Sequence, residues 1–192
     1  MSIAVDFVWD SRDLAVWRNR VVDSALARAV RLAGNQALRV QQKESVKTVT
    51  SRKHLKPKAV QDGLPLDFPG RGQKIEDLEW TEYVSSKPVP LSRFPHIQTK
   101  RGVSVRINKR GSTKRIRGAF VANMASGHRG VFVRKGKARL PIKELWTSRL
   151  SDTMQDRGVI PAVQGKAMKK FQSAFERGLK REIEKLQSRG MV

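Results

Sequence analysis

A chain of 192 residues with 40 Lys and Arg against 17 Asp and Glu, a formal +23, carries a field that draws polyanions. That charge, with a pI near 11.3, lies outside the usual range of soluble enzymes, and the absence of Cys removes disulfides, thiolate nucleophiles and Cys-based zinc sites. Disorder does not account for the charge, because 39% apolar residues with 4 Trp and 7 Phe suffice for one packed core.

The opening MSIAVDFVWD has acids at Asp6 and Asp10 and neither a basic start nor a long apolar run, so no secretory leader is expected. No stretch approaches the ~20 apolar residues of a membrane span. A soluble protein made in a cytoplasm is the expectation.

From Ser11 to about Thr48 there is no Pro and one Gly, and Leu14, Trp17, Val21, Ala25, Ala29, Leu32 and Ala33, then Gln36 and Val40, recur at steps of three and four. This predicts a long helix over 11–48, capped by Asp10 or Ser11. Its buried alanines admit a close neighbour, either a sheet or a partner subunit. Residues 49–82 read as a linker. SVKTVTSRKHLKPKAVQ, residues 45–61, holds five Lys or Arg and no acid. Its β-branched residues and Pro57 predict a frayed basic helix end and then a loop. DFPGRGQ is turn chemistry.

IEDLEWTEY concentrates Glu76, Asp77, Glu79 and Glu82, and from Tyr83 through Lys143 sixteen Lys or Arg follow with no Asp or Glu. Within that block PVPL, GVSVRINK, GAFVANM and VFVRKG predict a small antiparallel sheet of three to four strands over 83–146. Gly111 with Ser112, and SGHRG at 126–130, are the expected hairpin turns. Last, Met168, Phe171, Phe175, Leu179, Ile183 and Leu186 mark a C-terminal amphipathic helix over 165–188, after Pro161 and Gly165. The fold class is α+β, one domain with extended basic loops.

Catalysis finds little support. His54, His96 and His128 lie on separate segments without ligand spacing, so no metal or cofactor is expected. Glu76, Glu79 and Glu82, three apart, would share one helical face and could hold Mg²⁺ for a nuclease; the simpler reading is a solvated face or pairing with the chain's own Arg. Phosphate-binding glycine loops and GxSxG are absent.

Cations without a base-reading motif point to phosphate contacts, not sequence readout. The candidates are Arg115, Arg117, Arg129, Arg134, Lys135, Lys137 and Arg139, with Arg52 and Lys53 as a second patch. The alternative is that this face meets an acidic protein ring or stays hydrated. Phe120, Pro141 and Ile142 are candidate interface residues. Trp146 is either a subunit anchor or a core residue.

GAFVANM, a short glycine turn and GVFVRKGKARLPIKELW, together with SRKHLKPKA, PVPLSRF and KRGVSVRINKRG between two amphipathic helices, resemble the minor tail protein Z family, the tail completion proteins of lambda-type long-tailed phages. The likeness runs from about Leu14 to Leu186. It implies a structural virion protein that completes the head-proximal end of the tail, is needed for head–tail joining and places the DNA end. It further implies a homo-oligomer, a hexameric ring by tail symmetry. The implied partners are the tail terminator, head connector and tape measure proteins and the phosphates of phage DNA, with no membrane, and assembly in the host cytoplasm. A stand-alone, non-specific nucleic-acid-binding or packaging protein is the alternative.

Overall fold

The computed structural model describes residues 3–6 and 23–188. The chain order is β1 (Ile3–Asp6), α1 (Asp23–Arg52), α2 (Pro57–Gln61), β2 (Leu66–Asp67), β3 (Thr81–Val84), β4 (Pro88–Pro90), β5 (His96–Thr99), β6 (Gly102–Val105), β7 (Lys114–Arg117), β8 (Ala119–Asn123), β9 (Arg129–Arg134), β10 (Ile142–Glu144), β11 (Trp146–Arg149), α3 (Leu150–Met154) and α4 (Val159–Ser188). Single turns of 3₁₀ helix occupy Ile75–Asp77 and Leu91–Arg93. This is the expected α+β arrangement of long helix, small antiparallel sheets and C-terminal helix. Two compact units divide it. A helical unit comprises the described residues within Ile3–Ser45, Leu64–Val84 and Asp156–Val192, and a β unit comprises Val46–Gly63 and Ser85–Gln155.

In the helical unit, α1 buries Ala25, Ala29, Ala33 and Ala37 with Leu26, Val30 and Leu38 between them. These steps of four wind gradually round the helix, so Leu32, expected on the buried face, is 58% exposed. The small side chains do admit a close neighbour, but it is neither the sheet nor the partner subunit expected: α4 of the same chain passes so near that a Cβ on Gly178 would sit 3.6 Å from the Ala29 Cα. From α4 come Phe171 and Phe175, stacked with centroids 6.0 Å apart, and Leu179 and Leu186, all buried. Burial of each contributes about 1.5–3 kcal/mol. Trp80 closes the cluster; its indole N–H donates to Asn35 Oδ1 at 2.8 Å. A side chain at Gly34 would overlap the Trp80 ring.

Helix boundaries differ from the periodicity in two places. The start expected at 11 lies outside the described residues. At its other end α1 runs on to Arg52, because Val49 is fully buried and the Thr50 hydroxyl donates to the Val46 carbonyl at 2.8 Å. β-branching lowers propensity by only tenths of a kcal/mol, which packing overrides. The end is tied, not frayed: Lys109 N–H donates to Arg52 O at 2.8 Å and His54 N–H to Ile107 O at 2.9 Å. Helix α4 starts six residues earlier than the expected 165, at Val159, since Pro161 falls in the first turn, where no N–H partner is needed.

In the β unit the strands form three small antiparallel sheets, β8–β9–β10, β5–β6–β7 and β4–β11, where one sheet was expected. Interruptions at Pro95, Gly118 and Pro141 keep each strand to six residues or fewer. SGHRG turns as expected, with Met124 N–H donating to His128 O at 2.8 Å. Gly111 and Ser112 lie, as expected, in the hairpin loop between β6 and β7, where Gly111 N–H donates to Asn108 O at 3.2 Å; a tighter hairpin not singled out in the sequence is at Lys100–Arg101, where Thr99 pairs directly with Gly102. Gly102 has φ +136°, and a Cβ there would overlap the Ile116 carbonyl oxygen, so the sheet requires glycine.

Candidate nucleic-acid interface

The two units differ sharply in charge. The β unit holds 22 Lys and Arg against 3 Asp and Glu, and the described residues of the helical unit 14 against 12. Most of the +23 therefore resides on the three small sheets and their loops.

Alternation along β7 puts Arg115 and Arg117 on one face. Register places Arg115 across from Ser104 and Ile97, and Arg117 across from Gly102 and Thr99. The opposite face carries Val103 and Val105, both buried, which fixes the arginines outward. Because Gly102 has no side chain, the outer face is hollowed. An open concavity of about 900 Å³ results, lined by Arg101, Ser104, Thr113, Arg115 and Arg117. Its lining contains no acid and no aromatic ring, and none of its three guanidinium groups has an acidic partner among the described residues. Arg101 escaped sequence reasoning, because only the cross-strand register joins the hairpin tip to β7.

A second cluster sits where β9 turns into β10. Arg134, Lys135, Lys137 and Arg139 are all exposed there, and Lys135 N–H donates to Pro141 O at 3.0 Å across the loop base, beside a cis Leu140–Pro141 bond. The Arg134 guanidinium stacks over the Phe120 ring at 5.4 Å, a contact that orients the cation without neutralising it. Arg129 stands at the far end of β9, about 17 Å along the strand. The expected second patch divides. Arg52 is exposed at the end of α1 beside the loop bearing Arg106, Lys109 and Arg110, three cations not singled out in the sequence. Lys53 is not an exposed cation: it is 6% accessible, and its ammonium donates to Ser148 Oγ at 2.6 Å and to the Arg149 carbonyl at 3.3 Å. Its role in this structure is to join α1 to β11.

A sequence model of the family described as prophage minor tail protein Z (GPZ) matches residues 12–191. The chain belongs to the prophage minor tail protein Z family. Comparison with curated proteins and with solved structures gave no match. Membership makes it a phage minor tail protein, a structural component of the virion that meets other virion proteins. Among the described residues no helix is long and apolar enough to cross a membrane.

Trp146 is 49% exposed, so it is not a core residue. It lines an open pocket with Lys87, Pro88, Lys143, Glu144 and Leu145. Pro141 is exposed, and Phe120 and Ile142 are half-buried.

The acidic segment is not one helical face. Glu76 lies in the 3₁₀ turn and Glu82 in β3, fully buried, so the metal arrangement considered for Glu76, Glu79 and Glu82 does not form. Among the described residues no three His, Asp or Glu cluster as metal ligands. Glu82 is also not on a solvated face. Its Oε2 accepts from Ser45 Oγ at 3.0 Å, and burial pushes its carboxyl up to about 7 against the lowering effect of hydrogen bonds from Ser45 and Gln41.

Proposed function

We propose that this minor tail protein completes the head-proximal end of the tail, is required for productive head–tail joining and placement of the DNA end, and works as a ring whose β units face the DNA. What carries the reading is the charge partition: 22 cations against 3 acids on one unit, 17 of the cations on its sheets and their loops, which buried valines pin. Repeated around a ring, such a surface gives a strong positive potential that holds phosphates of any sequence. The half-exposed Trp146, with Phe120, Pro141 and Ile142, supplies contact area toward neighbouring subunits or the tail terminator, head connector and tape measure proteins.

The test is complementation of a phage lacking this chain with a Lys135→Glu/Lys137→Glu/Arg139→Glu variant. Exposed loop charges contribute little to stability, so the variant folds normally. The expected result is tails and filled heads in normal numbers by electron microscopy, with at least tenfold fewer joined, infective particles. Normal joining by a folded variant would overturn the reading. A wild-type chain that stays monomeric and binds DNA tightly without any tail component would favour the stand-alone nucleic-acid-binding role instead.

A further inference from the structure

Resting on that reading, we infer that the Arg101–Arg115–Arg117 concavity seats a single sugar-phosphate strand of nucleic acid, by about three phosphates and no bases. Three observations lead there. Arg115 and Arg117 are two residues apart on one strand face, so their side chains leave the sheet about 7 Å apart, close to the separation of successive phosphates along an extended strand. Arg101, at the hairpin tip beside Gly102, adds a third guanidinium, and the hydroxyls of Ser104 and Thr113 line the same hollow. A three-stranded sheet is only about 10 Å wide, too narrow for both backbones of a duplex.

The lining also says what is not read. It has no aromatic ring on which a base could stack and no carboxylate or carboxamide to accept from adenine or cytosine edges, and a strand that engages all three guanidinium groups by its phosphates leaves none to read guanine. Ile97, 70% exposed at the end of the Ser104–Arg115 row, is the one large apolar group on that face. Guanidinium forks bind phosphate oxygens bidentately. The groove therefore takes the exposed backbone of a duplex and a single strand alike, independent of sequence.

The experiment is fluorescence anisotropy of a labelled short duplex, and of one of its strands, over a salt series. The full chain is compared with an Arg101→Gln/Arg115→Gln/Arg117→Gln variant, and with Arg115→Gln alone in case the triple change impairs folding. The log–log salt slope for duplex should fall in magnitude by about 3 in the triple variant and by about 1 in the single one, and for single strand by about 2 in the triple variant, equally for unrelated sequences. Arg115→Lys/Arg117→Lys should keep the wild-type slope while weakening binding several-fold, because the charge remains and the fork is lost. A folded variant with an unchanged slope overturns the groove, as does a wild-type chain that binds neither probe at low salt, or a loss seen only with polyglutamate, which would assign the hollow to an acidic protein. Complementation with the triple variant separates the two readings: lost slope with normal joining leaves the groove and removes the joining role, and impaired joining with an unchanged slope does the reverse.

Discussion

Glu82 shows how much one buried carboxyl can do to a small unit. Its carboxyl titrates near 7 in the folded chain against 4.5 for the free group, so folding favours the protonated form. The stabilisation is therefore complete below about pH 4.5, declines as pH rises and is lost above about pH 7, by about 3 kcal/mol in all. Glu82→Gln keeps the shape and the acceptor for Ser45 but cannot ionise. Its stability relative to wild type, from denaturant titrations at pH 5 and pH 8, should rise by a large part of that amount toward high pH; a difference that does not change with pH would show that the carboxyl stays ionised. Glu182 behaves oppositely. The Lys185 hydrogen bond and the Arg28 guanidinium at 3.0 Å hold it below its ordinary value, so it favours folding at neutral pH. No spacing rule separates the two glutamates. Lys53 is a similar case, since its partners Ser148 and Arg149 lie some 95 residues away in the chain.

At the scale of elements, apolar periodicity located the helices but not their ends. In α1 the buried ladder continues through Gln41, Ser45 and Val49, two of them polar, so a search for apolar residues loses the face before the helix stops. The strands were legible from β-branching and glycine breaks. Their pairing was not, because it depends on which short strand meets which. Gly102 is the element-scale test. Alanine there meets both the positive φ and the Ile116 carbonyl, at a cost of about 1–3 kcal/mol. Gly102→Ala should lower the thermal midpoint and, by displacing β6 against β7, reduce the DNA salt slope in step; a midpoint unchanged within error would show that the hairpin relaxes without strain.

Across the whole molecule the informative quantity is where the charge lies. An acid-free run of cations is visible in the sequence, and so is the family likeness that the match over residues 12–191 establishes. The ring remains a proposal, and mass by light scattering tests it, with and without short duplex DNA, at low and high salt. A species several times 21.7 kDa that persists at high salt is expected, because apolar contacts around Trp146 and Pro141 are not screened. Trp146→Ala, at a half-exposed position, should reduce that species while leaving the monomer folded. A monomer under all conditions, even with tail components added, would remove the ring.

By itself the sequence determined the fold class, the two long helices, the phage tail family and the concentration of charge, because those depend on residue types and on spacing along one element. Only the tertiary structure decided that Glu82 and Lys53 are buried, that Arg101 joins Arg115 and Arg117 in one hollow, and that Trp146 stays at the surface. Each of those outcomes rests on strands or helices distant in the chain packing side by side, and burial and register are properties of that packing, which no local pattern of residues encodes.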